Sequence, residues 1–253
     1  MDEAVASHHR SGSRVSKRAL DVIAALAGLI VSAPIALLVA LAIRLDTPGP
    51  IFFSQIRLGQ GGRLIRIYKF RKFRAEPASS GLPLTIRTDP RLTRVGALLE
   101  RTKLNELPQL WNILLGDMSL VGPRPETLEF RACFYGAFRR ILSYKPGLLG
   151  PSQYFFRNES DLYPEGIDHQ DFYRKTLFVL KAKIDLSYYE SNTLLRDMGW
   201  VFRCISAVIF RPALDNAADW VKTAEDWASR EIRSSTRPAP RIRDETRRPW
   251  IHP

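Results

Sequence analysis

Residues 22–43 contain no charged side chain and are almost wholly apolar. As a straight helix rising about 1.5 Å per residue, such a run covers a hydrocarbon core of roughly 30 Å. Nothing else in the chain limits its fold as strongly, because a segment apolar on every side belongs in lipid or inside a core. Two details argue against a simple crossing. Pro34 lies mid-run, where it removes a helical donor, and Ser32 beside it can satisfy a freed backbone group. Basic residues also flank both ends: Arg10, Arg14, Lys17 and Arg18 before, and Arg44, Arg57, Arg63 and Arg66 after. Positive charge favours the cytoplasmic side at each end. A re-entrant helix hairpin over residues 19–47, broken at Ser32 and Pro34, satisfies both details. A kinked transmembrane helix is the alternative.

The flanks are basic throughout. The 253 residues carry 38 Lys+Arg against 26 Asp+Glu, a formal charge of +12. Such an excess calls for an anionic partner: phospholipid, nucleic acid or a phosphorylated substrate. Residues 1–18 read as a disordered basic N-terminus. The apolar run after them is too long for a signal peptide, and no small-residue cleavage site follows it. Residues 233–253, with six arginines and four prolines, read as a disordered basic tail near an anionic membrane. Cys133 and Cys204 alone make no disulfide framework and suit a reducing setting. That leaves residues 48–232 for one compact domain.

Within that domain, residues 51–58 and 64–70 are rich in β-formers around Gly59-Gln60-Gly61-Gly62, which reads as a β-hairpin. Residues 69–74 interleave cations with aromatics. Residues 75–88 read as a loop, and 95–101 as a short helix. Asn105 suits a helix N-cap, Pro108 a first turn, and Gly116 a helix end, with Leu107, Leu110, Trp111 and Leu114 at helical spacing between. Glu106 then sits at the positive end of this helix, which favours anions. In Gly122-Pro123-Arg124-Pro125-Glu126 two prolines stiffen the backbone around Arg124, presenting a guanidinium suited to phosphate. A capped core helix followed by a rigid turn explains the same residues. Arg91 and Arg94 are candidate phosphate contacts; ion pairs with Asp89 and Glu100 explain them equally well. Further on, 126–144 reads as a helix with Phe130, Phe134, Phe138 and Ile141 facing a core, 145–153 as a loop, and 171–189 as helical. Residues 194–210 fit a helix in the headgroup plane or an ordinary core helix, and 219–232 a further short helix.

The stretch from Lys103 to Glu126, KLNELPQLWNILLGDMSLVGPRPE, resembles the central motif of the bacterial sugar transferases, which are monotopic polyprenyl-phosphate phosphoglycosyl transferases. Lys17-Arg18 with Asp21, Pro48-Gly49-Pro50, Tyr68-Lys69-Phe70-Arg71, Asp89-Pro90-Arg91 and Lys145-Pro146-Gly147 match in the family's order, so the resemblance covers about 15–210. It implies an α/β but mostly helical fold: a re-entrant membrane helix hairpin plus a small catalytic domain on the cytoplasmic face of the bacterial inner membrane. That domain would contain a short β-hairpin and interfacial amphipathic helices. It implies transfer of a sugar-1-phosphate from a UDP-sugar to undecaprenyl phosphate, initiating polysaccharide or glycoconjugate biosynthesis. The implied cofactor is Mg²⁺, or Mn²⁺ in its place, held by Glu106. The implied substrate contacts are Lys69, Arg71, Arg91, Arg94, Gln109 and Arg124. An anionic phospholipid membrane is an expected partner and nucleic acid is not, because no nucleic-acid-binding motif is present. Homo-oligomerisation is left open.

The resemblance also implies a catalytic aspartate, which attacks the β-phosphate of the donor and carries the phosphosugar before the lipid takes it. Its position here is Asn105, and a neutral amide is a poor nucleophile toward phosphorus. Glu100 also stands where the family usually has arginine. Glu106 as nucleophile, direct attack by the lipid phosphate and deamidation of Asn105 are the routes to activity. The alternative is a catalytically impaired member acting as a membrane scaffold. Glu106 and Asn105 are the expected catalytic positions.

Overall fold

The computed structural model describes residues 2–74, 84–86, 89–164, 166–210 and 226, with side chains from residue 15 onward. One long helix, α1 (Asp2–Asp46), opens the chain. The antiparallel hairpin β1 (Phe52–Leu58) and β2 (Leu64–Phe70) follows, as the sequence predicts, with Phe52 opposite Phe70 and Leu58 opposite Leu64. Helices α2 (Arg94–Thr102) and α3 (Gln109–Leu115) come next, joined by a 3₁₀ turn at Leu104–Glu106. Strand β3 (Ser119–Val121) pairs in parallel with β4 (Gly147–Leu149). The chain continues through α4 (Pro151–Phe155), α5 (His169–Phe172), a π-turn (Tyr173–Leu177), α6 (Phe178–Tyr189) and α7 (Leu194–Phe210). The expected α/β, mostly helical character holds.

Several expectations are corrected. The segment expected to be a disordered N-terminus forms part of α1 from Asp2 onward; extending an existing helix costs far less than starting one. α1 also continues through Pro34, so Ser32 and Pro34 do not divide it into two elements. Residues 126–144 form two 3₁₀ segments, Leu128–Cys133 and Gly136–Ser143, rather than one helix. Gly136, the first residue of the second segment, has a φ of +52°. The aromatic stripe nevertheless reaches the core: Phe130, Phe134 and Ile141 are buried and Phe138 packs against them. The expected loop 145–153 contains β4 and the start of α4. The helix expected over 219–232 and the tail over 233–253 lie outside the described residues, Asp226 apart.

Among the described residues, three apolar clusters hold the chain together. The largest gathers Phe130, Phe155, Tyr173, Ile184, Tyr188 and Trp200 from the second half. A second joins Ala25 of α1 to Ile65 and Ile67 of β2, Ile113 of α3 and Met118. A third joins Val39 and Ile43 of α1 to Phe70 and Leu99. Both ends of the apolar run of α1 are thus seated on one domain. Near its start, Lys17 pairs with buried Asp197 of α7, and Arg18 donates to the carbonyls of Ile113 and Leu114 at 2.6 and 2.8 Å. Asp21 accepts from Ser119 Oγ at 3.0 Å and Leu120 N at 2.8 Å. At its finish, Asp46 accepts from Val95 N at 3.2 Å. Between these anchors Ile30, Val31, Ile35, Leu37 and Leu38 are exposed.

Candidate active site

The site is built where β2, the 3₁₀ turn and the Pro-Arg-Pro segment meet. Asn112, fully buried in α3, stitches the helix to β2. Its Oδ1 accepts from Tyr68 N at 3.0 Å and its Nδ2 donates to Arg66 O at 2.7 Å. That bond fixes the neighbouring Lys69 toward the turn. α2 ends at Lys103, whose φ of +58° is in the left-handed region, and the reversal throws Leu104–Glu106 into the 3₁₀ turn. On the other side, Gly122 lets the chain at 145–147 approach closely; a Cβ there would stand 2.3 Å from Lys145 O. Parallel β3 and β4 then hold Arg124 over the turn.

The three elements deliver one constellation. Glu106 Oε1 accepts from Lys69 Nζ at 2.9 Å and from Arg124 Nη2 at 2.7 Å. Burial by itself would raise the Glu106 carboxyl, but Arg124 and Lys69 override it and hold it well below the usual carboxylate range. Burial pushes the Lys69 ammonium down to about 8, against the upward pull of Glu106. The Glu106 charge raises Arg124 despite its burial. A second cluster adjoins it. Glu100 accepts from Lys72 at 2.6 Å and from Lys103 at 3.1 Å. Burial alone would raise the Glu100 carboxyl, yet Lys103 and Lys72 bring it down to about 2. Two carboxylates thus lie among four cations, an excess of positive charge suited to an anionic ligand.

Of the predicted site residues, Glu106, Lys69 and Arg124 are brought together, and Asn105 and Gln109 lie beside them in sequence. Asn105 is 2% exposed and its Oδ1 has no hydrogen-bond partner; Gln109 is 3% exposed and its Nε2 has none. Asn105 does not cap α3, which starts later, at Gln109, with Pro108 in the cap position. The reason is local: residues 104–106 close their own turn through Glu106 N to Lys103 O and Leu107 N to Leu104 O. Glu106 therefore lies in the turn before α3 rather than in its first turn.

The remaining predicted contacts are placed elsewhere. Buried Arg71 donates to Pro48 O at 2.9 Å and Thr47 O at 2.8 Å, and so secures the exit from α1 instead of a phosphate. Arg91 pairs with Asp89 through two bonds of 2.8 and 2.6 Å and lies over the Phe73 ring, so the ion-pair reading holds for it. Arg94 is exposed, and Glu100 takes the lysines in its stead.

Behind Arg124 runs a relay whose members, Glu126 apart, belong to no short motif. Arg57 Nη1 donates to Pro125 O at 3.4 Å and lies 3.8 Å from Glu126. Tyr173 donates to Glu126, Lys181 Nζ donates to Tyr173 Oη at 3.0 Å and to Glu159 at 2.8 Å, and Tyr163 donates to Glu159 at 2.8 Å. Only Glu126, directly after Pro125, had a sequence cue. The others come from several elements, and Lys181 of α6 joins Tyr173 to Glu159.

Among the described residues, no three His, Cys, Asp or Glu side chains are grouped as a metal cage. Mg²⁺ commonly takes one or two carboxylates and completes its shell with substrate phosphate and water. Glu106, with the unpartnered Asn105 Oδ1 next in the chain, fits that lighter demand.

Comparison with known proteins matches residues 12–211 to the family described as bacterial sugar transferase. The chain is 50% identical over 119 residues to the exopolysaccharide production protein PSS of Rhizobium leguminosarum bv. phaseoli, covering 47% of this chain and 60% of that one. It is 43% identical over 118 residues to a Bacillus subtilis protein named for undecaprenyl-phosphate N-acetylgalactosaminyl 1-phosphate transfer, covering 47% and 66%. It is 36% identical over 209 residues to the UDP-glucose:undecaprenyl-phosphate glucose-1-phosphate transferase of Caulobacter vibrioides, covering 79% and 71%. The matched stretch thus spans less than two thirds of the first two relatives.

Proposed function

The chain belongs to the bacterial sugar transferase family, and from that membership we propose that it moves a sugar-1-phosphate from a UDP-sugar to undecaprenyl phosphate. This step initiates a polysaccharide or glycoconjugate at the cytoplasmic face of the inner membrane. The observation that carries the reading is the grouping of Glu106 with Lys69 and Arg124 on a domain bearing an exposed apolar helix. A lipid acceptor explains why a phosphate site needs that helix. The names of the relatives support the donor and acceptor classes.

The re-entrant course of α1 belongs to the same proposal. Its support is that Lys17, Arg18 and Asp21 at one end and Asp46 at the other all bond to the same domain. A helix spanning the bilayer has its ends on opposite sides. Exposed Ile30, Val31, Leu37 and Leu38 flank Pro34 at what would be the deepest point in lipid.

Asn105 closes the usual route through a phosphoaspartate. Glu106 is gripped by Lys69 and Arg124 and has little free basicity. In our reading Glu106 orients those cations onto the donor diphosphate, and an oxygen of the lipid phosphate attacks the β-phosphorus directly. The bond to the bridging oxygen breaks and UMP leaves with that oxygen. A Mg²⁺ held by Glu106 would add charge neutralisation at the diphosphate. The specific observation favouring an impaired scaffold is Asn105 itself.

UMP release separates the two. Detergent-solubilised protein is incubated with UDP-sugars, Mg²⁺ and undecaprenyl phosphate, beside Asn105→Asp and Glu106→Gln. The transferase reading expects wild-type turnover and at least a roughly hundredfold loss in Glu106→Gln, the scale of losing a principal electrostatic contact. Turnover only in Asn105→Asp would establish the scaffold reading.

A further inference from the structure

A cleft of about 370 Å³ opens beside the Glu106 cluster, between α2 and the 3₁₀ turn Glu159–Asp161. Its polar lining includes Glu100, Arg101 and Lys103 on the α2 side and Asn158, Ser160 and Asp161 on the other. Ile86, Leu92 and Ala97 give it an apolar wall. Ligand pockets of roughly 300–1,000 Å³ are the usual range for small molecules.

Two links tie the cleft to the diphosphate site. Lys103 lines the cleft, bonds to Glu100 within it, and its charge lowers the Glu106 carboxyl. Glu159, between Asn158 and Ser160, interacts electrostatically with Arg124, which holds Glu106. The same Glu159 is fixed by Lys181 and Tyr163, so the far wall is braced from behind.

The lining chemistry selects the occupant. A uracil ring seeks an aromatic face, and among the described residues no Phe, Tyr or Trp lines the cleft. A pyranose presents hydroxyls that both donate and accept, together with a C–H face. The cleft offers carboxylate acceptors at Glu100 and Asp161, cationic donors at Arg101 and Lys103, and groups that do both at Asn158 and Ser160. Its apolar wall matches the C–H face.

We propose that this cleft is the subsite for the sugar ring of the nucleotide-sugar donor, with Asn158, Ser160 and Asp161 as residues that set sugar preference. The assignment rests on the transferase reading above and deepens it. Among the described residues, the side-chain partners of Glu106 are Lys69 and Arg124 and none of these three.

The test is equilibrium binding of a UDP-sugar panel and of UDP alone to the full chain in detergent, for wild type, Ser160→Ala and Asp161→Asn. Wild type is expected to bind one UDP-sugar at least tenfold more tightly than UDP. The variants are expected to bring that ratio close to one while UDP affinity stays within about twofold. Unchanged ratios in both variants would overturn the subsite and leave the transferase reading standing. Equal loss of UDP and UDP-sugar would show a merely structural role and also overturn it. Absence of any nucleotide binding in wild type would remove both the subsite and the transferase reading.

Discussion

Lys69 is the cation beside Glu106 whose protonation burial shifts toward neutral pH. Burial brings its ammonium from 10.5 down to about 8, with Glu106 opposing the fall. Because the folded value lies below the unfolded one, losing this proton stabilises the fold as pH rises above 8; any loss of ligand affinity there is not unfolding. UDP-sugar affinity is expected to fall roughly tenfold between pH 7 and 9, one cation fewer on the diphosphate. Lys69→Arg keeps its charge and should flatten that profile. Glu106→Gln removes the upward pull and should move any remaining inflection to lower pH. A flat wild-type profile from pH 7 to 9 would refute this role. The sequence marked Lys69, Glu106 and Arg124 through motif order. It also marked Arg71, whose guanidinium is taken up by the carbonyls of Thr47 and Pro48, brought to it by the exit from α1.

At the scale of elements, α6 is packed against α4 through a buried acid. Asp185 is 5% exposed, one of its oxygens has no partner, and burial raises its carboxyl to about 7 against the hydrogen bond from Ser152. Between pH 4 and 7 the folded chain holds a proton that an unfolded chain has released. Stability from this group is therefore present at low pH and lost as pH rises toward 7. Asp185→Asn keeps the shape and cannot ionise. Its Tm relative to wild type is expected to be a few degrees higher at pH 8 than at pH 5, read by differential scanning fluorimetry. An equal offset at both pH values would show that the carboxyl does not titrate in the fold. The hairpin β1–β2 was legible because its strands carry β-formers around a glycine-rich turn. β4 was not, because a three-residue parallel strand exists only through its partner β3.

At the scale of the whole molecule, the proposed seat in the membrane rests on α1. The stretch Val15–Asp46 is long and apolar enough to cross a bilayer, yet both ends are bonded to one domain. With a cysteine introduced at Ser16 or at Thr47, a membrane-impermeant thiol reagent is expected to label both positions from the cytoplasmic side of inverted vesicles. Native Cys133 and Cys204 are buried and give little background. Pro34→Leu restores the missing helical donor and is expected to shift part of the population to a spanning topology, protecting one of the two sites. Labelling of wild type from opposite sides would overturn the re-entrant proposal.

The sequence by itself determined that a basic chain carries one uncharged apolar run, that a hairpin follows it, and that Glu106 and Arg124 stand in one stretch resembling the central motif of the bacterial sugar transferases. Those features are local: they rest on hydrophobicity, turn chemistry and contiguous residues. Only the tertiary structure decided which cations face Glu106, that Arg71 and Arg91 are committed to other partners, and that a polar cleft adjoins the site. It also decided that both ends of α1 return to the same domain. Several of these depend on residues far apart in the chain, such as Lys69 with Glu106 and Lys17 with Asp197, whose meeting is set by packing and not by any neighbour in the chain.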